Sequence, residues 1–164
     1  MTFIRVWVLW ALVLGVLAAG PTAGAADQAC MPGVRKVNGS LARVFCGPAT
    51  ARVAVAGKKI VFRNGQCERA ATYFAINIGA TGLDVNAKRR PDYFGIVVGR
   101  TPLTPTEKPA GKDGVYKSVL ITFTSHGRGY AVGKDAKLVL EKGRRIGSFS
   151  GTAAGKRVRG TFRC

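Results

Sequence analysis

"GSFSGTAAGKRVRGTFRC", residues 147–164, decides the fold. Read as a hairpin turning on Ala154-Gly155, it pairs Gly151 with Val158, Phe149 with Gly160 and Gly147 with Phe162. Every inward position is then apolar or glycine. Ser148, Ser150, Thr152, Arg157 and Arg159 share the outward face. A slip of one residue would put Phe162 in water, so the register is strongly specified. The last strand carries Val158, Gly160, Phe162 and Cys164 on one side and Arg157, Arg159, Thr161 and Arg163 on the other. A period of two with one apolar face is the mark of a half-buried antiparallel strand.

The same period recurs upstream. "VNGS" at 37–40 is an Asn-Gly hairpin signal before the strand-like "LARVFC". "ARVAVAGKKIVFR" at 51–63 reads as a hairpin around Gly57-Lys58, setting Val53 and Val55 against Phe62 and Ile60. "FRNGQC" at 62–67 reads as a second Asn-Gly turn with Phe62 opposite Cys67. "TYFAINIG", "DYFGIVVG", "VYKSVLITFTS" and "KLVLE" are further β-rich runs. "KRRPDY" at 88–93 and the proline-rich "RTPLTPTEKPAGKDG" at 100–114 read as loops, the second extended and mobile. No segment sustains a helical apolar period. The expected fold is all-β: an antiparallel sandwich or barrel of about 8–10 short strands.

The N-terminus reads differently. Arg5 precedes an apolar run from Val6 to about Gly20, then Pro21 and the small-x-small triplet Ala23-Gly24-Ala25. This is the pattern of a cleaved secretory signal over residues 1–25, and the run is short for a membrane-spanning helix. Cys30 follows "ADQA", not a lipidation motif. A single β-domain over residues 26–164 is expected, with no membrane span after cleavage, secreted or associated with the cell envelope. It keeps 25 of the 26 Lys and Arg residues against 8 Asp and Glu, a net charge of +17.

Four cysteines remain, Cys30, Cys46, Cys67 and Cys164. An even count in an exported domain reads as two disulfides. Three connectivities are open, and Cys30–Cys46 with Cys67–Cys164 is favoured because a chain end frays unless it is tied. With no Cys-x-x-Cys pair, neither zinc binding nor thioredoxin-like redox chemistry is indicated.

Catalytic chemistry finds little footing. His126, in "TSHGRGY", is the sole histidine. The adjacent Ser125 would point the other way on a strand, and an exposed turn histidine is the plainer reading. Asp84, Asp92, Asp113 and Asp135 stand in loop-like contexts without carboxylate neighbours, and Glu68 and Glu141 sit beside arginines. No metal, cofactor or catalytic residue is implied, and a non-enzymatic role is expected. "NGS" at 38–40 is formally a glycosylation acceptor, which the Asn-Gly turn explains by itself.

The distinctive feature is basic charge. Arg52 and Arg63 fall opposite each other in the register of the 51–63 hairpin, with Lys59 on the same face. Arg157, Arg159 and Arg163 make a second row, and Arg144, Arg145 and Lys156 stand at nearby turns. Such a field concentrates anions. Anionic polymers of the cell envelope, anionic lipid or nucleic acid are the expected partners. The competing expectation is a structural or protein-interaction domain whose charge serves only solubility.

At "FCGPATARVAVAGKKIVFRNGQC", "YFGIVVG" and "GSFSGT…VRGTFRC" the chain resembles uncharacterised exported proteins of high-GC Gram-positive bacteria. More remotely it is similar to the small mycobacterial lipoprotein antigens. That resemblance implies a β-rich exported body and a bridge between Cys67 and Cys164. It implies no catalytic residue, and without the lipidation motif it implies no lipid anchor.

Overall fold

The computed structural model describes residues 30–84, 87, 89–117 and 119–164. The expected signal segment, 1–25, lies outside the described residues. Twelve strands follow one another: β1 (Gly33–Val37), β2 (Ser40–Phe45), β3 (Ala49–Val55), β4 (Lys58–Arg69), β5 (Tyr73–Gly82), β6 (Tyr93–Gly99), β7 (Gly114–Tyr116), β8 (Val119–Ser125), β9 (Arg128–Ala131), β10 (Lys137–Glu141), β11 (Ile146–Ala153) and β12 (Lys156–Arg163). The fold is all-β, and every strand pairing is antiparallel. One sheet runs β7-β10-β11-β12-β3-β4-β5-β6-β8-β9, and the β1–β2 hairpin branches from β5.

The sheet curls until its own inner face meets itself. Phe74 of β5 stacks on Phe162 of β12 at 5.4 Å, and Phe94 of β6 packs on Phe149 of β11 at 5.3 Å. Those strands are not neighbours, so the rings meet across the interior. Phe62 bridges Phe94 and Phe123 at 5.6 and 6.4 Å. Phenylalanines fill this core, with Ile76, Ile78, Ile96, Ile121, Leu138 and Leu140 between them, and a smaller cluster of Ala42, Val44 and Ala80 lies apart from it.

The β11–β12 hairpin has the register its sequence specifies: Gly147 pairs with Phe162, Phe149 with Gly160 and Gly151 with Val158. Each phenylalanine lies over a cross-strand glycine. A Cβ on Gly160 would come within 2.3 Å of the Phe149 ring, and one on Gly147 within 2.6 Å of the Phe162 ring. The glycines are there because the rings occupy their side-chain space.

Two other hairpins differ from expectation. β3 and β4 turn on Ala56-Gly57, so Val53 pairs with Ile60 and Ala51 with Phe62. The pairing moves by two residues, which preserves the faces but separates Arg52 from Arg63: Arg52 lies opposite Val61. Asn64-Gly65 is not a turn. β4 runs straight through it, with Asn64 left-handed (φ 62°) and the β3 register shifting between Ala49 and Ala51. The dipeptide makes a β-bulge, and bulges bend a strand and re-aim its side chains. β4 continues because residues 65–69 find a new partner in β5. The Asn38-Gly39 turn forms as read, both residues at positive φ.

The two disulfides are Cys30–Cys46 and Cys67–Cys164, each with Cα atoms 5.7 Å apart. The proline-rich 100–114 segment folds back against the sheet. Arg100 Nε donates to Glu107 O, Ala110 N donates to Thr72 O, and the Ala110 side chain is fully buried under the core. At the seam, Gly133 N donates to Thr152 O, while the Asp135 carboxylate accepts from the Thr152 hydroxyl and N–H. Those hydrogen bonds, the hydroxyl's foremost, hold the Asp135 carboxyl below its ordinary range.

Candidate anion-binding surfaces

The alternation of β12 sends its arginines outward, and its pairing decides what they stand beside. β12 lies directly against β3, so the two basic rows share one sheet. Across the outer face runs Lys59, Ala54, Arg159, Ser150 and Lys137, each opposite the next. Cation alternates with small residue, which spaces the charges by about 9–10 Å, two interstrand steps. Arg52 stands between Val61 and Thr161, Arg157 opposite Thr152, and Arg163 between Thr50 and Ile146. No two of these cations are directly opposed, so the ladder avoids the like-charge penalty that an Arg52–Arg63 pair would bring. All are exposed, and among the described residues none of their side chains has a hydrogen bond or ion pair. Arg52, Glu141, Ser148, Thr161 and Arg163 line a depression of about 490 Å3.

Lys137 belongs to this face and escaped the sequence reading, because only the β10–β11 pairing brings it alongside Ser150. Lys156 sits at the turn end of β12 and shares a depression of about 500 Å3 with Lys58, Lys59 and Arg128. Arg145 is exposed on the β10–β11 turn, where its carbonyl accepts from Cys164 N.

Arg144 has a structural position. Its Nη1 donates to Ala70 O at 2.7 Å, Tyr73 O at 3.1 Å and Ala110 O at 3.2 Å, tying three segments under the floor of the core. The turn that aims it is fastened by the Asp113 carboxylate, which accepts from Gly143 N and Arg144 N. Arg144→Ala is expected to cost about 1.5–3 kcal/mol in chemical denaturation, since it orphans carbonyls bonded to a charged donor. Arg145→Ala should stay within about 0.5 kcal/mol. Equal losses would show that Arg144 acts only as surface charge.

Arg63 stays on the outward side of β4 with Lys59 and Val61, but at the far end of the face it borders a separate cleft. The bulge at Asn64 puts it in the fork where β4 bends away and β2 takes over the pairing with β5. A cleft of about 780 Å3 opens there, between the β1–β2 hairpin and the β8–β9 turn. Arg35, Arg63, Arg89, Arg90 and Arg128 line it, and among the described residues Asp92 is the carboxylate beside them. Sequence reasoning missed this cluster because its members lie far apart along the chain. "KRRPDY" was the one visible signal, and it reads as an ordinary basic loop.

His126 also borders the cleft. It occupies the β8–β9 turn at φ 51°, and that left-handed backbone brings Nδ1 to 3.0 Å from Ser125 Oγ, contrary to the simple strand expectation. Asp92 Oδ1 accepts from the His126 backbone N–H at 2.9 Å. Ser125 is 5% exposed, and the carboxylate holds main chain instead of the ring, so this trio lacks the imidazole–carboxylate link of a catalytic triad. Glu68 accepts the Tyr73 hydroxyl, which raises the Tyr73 pKa. Among the described residues no three His, Cys, Asp or Glu side chains form a metal-binding group, and no helix is long and apolar enough to cross a membrane.

No protein-family model and no curated protein matches the chain. A solved structure of a redesigned β barrel is similar over 71% of this chain and 90% of its own, at 21% identity and a TM-score of 0.37.

Proposed function

We propose that the protein is an exported domain that binds anionic polymers through the outer face of β4, β3 and β12. The observation that carries this reading is the transverse row Lys59–Ala54–Arg159–Ser150–Lys137, flanked by Arg52, Arg157 and Arg163. Charge on a broad sheet face suits a repetitive polymer, because many weak contacts add without a shaped pocket. Export is supported by the signal-like N-terminus, and the two disulfides suit an oxidising compartment. Envelope polymers, anionic lipid surfaces and nucleic acid all offer the required charge.

Affinity for duplex DNA, measured against salt, tests the reading. With about five phosphate contacts the log–log slope should lie near −4 to −5. The triple change Arg157→Ser, Arg159→Ser, Arg163→Ser should flatten it by up to about 3 units without unfolding the domain, since these side chains point away from Val158 and Phe162. Removing Lys108, Lys112 and Lys117 from exposed loops should matter less. Equal weakening by both triples would mean diffuse charge and would favour a structural or protein-interaction domain.

A further inference from the structure

We infer that the cleft in the β2–β4 fork is a binding site for a compact ligand bearing clustered phosphate charge, separate from the polymer-binding face. Arg35 comes from β1, Arg63 from the β4 bulge and Arg128 from β9, while Arg89 and Arg90 come from the β5–β6 connection. Five guanidinium groups line one concavity; Arg90 already interacts within the protein, and Arg35, Arg63, Arg89 and Arg128 are the charges that a ligand would meet. Arginine keeps its charge at any ordinary pH, so these groups hold a positive field in the cleft that a bound anion would offset.

The protein supplies little of that anion itself. Among the described residues Asp92 is the one carboxylate in the lining, and its Oδ1 already accepts from the His126 N–H. A bound ligand would bring further negative charge to the four remaining arginines. A single carboxylate brings one unit, whereas a terminal phosphate carries about −1.5 to −2 and three strong acceptor oxygens, and a second phosphate linked to it adds about one more charge. Two linked phosphates therefore match the site better than any one carboxylate, and guanidinium forks bind such oxygens bidentately.

Shape separates this site from the outer face. A cleft focuses the field of its charges, and a flat sheet spreads it. At about 780 Å3 the cavity falls within the range of small-molecule sites. A diphosphate alone would leave space beside Val37, Val44, Phe45 and Pro91, which suits an organic group attached to it. The backbones of the strand-borne arginines are placed in advance of binding. Arg35 is fixed opposite Ala42, and Arg128 opposite Ser125 in a tight hairpin. Arg63 keeps the outward alternation of Lys59 and Val61, and the Asn64 bulge that follows it bends β4 so that Arg63 borders the cleft.

Pyrophosphate titrated into the intact disulfide-bonded domain, followed by calorimetry, tests the inference. Saturable one-to-one binding is expected, at least about tenfold tighter than for inorganic phosphate. The double change Arg35→Ser, Arg128→Ser should weaken pyrophosphate at least about tenfold, while the Arg157, Arg159, Arg163 triple should change it by less than about twofold. Duplex DNA should respond in the opposite pattern, so either reading can fail alone. If the double variant does not fold, Arg63→Ser on another wall of the cleft is measured in its place. Absence of saturable binding, equal losses in both variants, or citrate binding as tightly as pyrophosphate would overturn the assignment.

Discussion

Replacing Cys67 and Cys164 together by serine is expected to lower the stability of the domain by about 4–5 kcal/mol. The two residues are 97 apart in sequence, so the bridge removes much of the unfolded chain's freedom. Its location in the fold raises the stake. β3 lies between β12 and β4 but begins only at Ala49, which pairs with Gly65. Beyond that point β4 runs on to Arg69 and β12 ends, with no strand between them. The disulfide spans that gap, helped by the hydrogen bond from Cys164 N to Arg145 O. Guanidinium denaturation of the double variant measures the loss. Removing Cys30 and Cys46 is the control. That bridge closes only the open end of the β1–β2 hairpin, with a separation of 16, and should cost about 3 kcal/mol or less. Equal costs for the two bridges would mean that the far end of the sheet is held by its ladder alone.

Phe94→Ala is expected to cost about 3–5 kcal/mol. The ring is fully buried and touches Phe62 and Phe149, so it joins β6 to both β4 and β11 through the interior. Its removal leaves a void among rigid rings attached to a closed-up sheet, which cannot collapse to fill it. Leu120→Ala, on the outward side of β8 at 60% exposure, should stay within about 0.5 kcal/mol. Urea denaturation of both variants gives the comparison. A loss under about 1.5 kcal/mol at Phe94 would mean that the core adjusts by sliding one wall against the other.

Much of the fold was legible along the chain. The 147–164 hairpin announced its own register because one face had to be apolar and a slip would expose Phe162. Local turn chemistry located Asn38-Gly39 and Ala154-Gly155, where two consecutive residues at positive φ are needed. The pairing favoured for the cysteines followed from export, even count and the need to secure a chain end. In each case the deciding interaction lies within a few residues or follows from the alternation of a single strand.

The remainder depended on which strands meet. Asn64-Gly65 carries the same local signal as Asn38-Gly39, yet it became a bulge, because β5 offered residues 65–69 a ladder that a hairpin would have forfeited. Arg144 resembled any turn arginine until the fold placed three carbonyls within its reach. The cleft arginines lie on separate elements, and no periodicity in the chain links them. Sequence by itself determined most strands, their faces and the outward direction of the β12 arginines, because alternation is a property of one strand alone. Tertiary structure decided which cations share a face, which one braces the core and which converge on a cleft, because those relations arise from pairings between residues far apart in the chain.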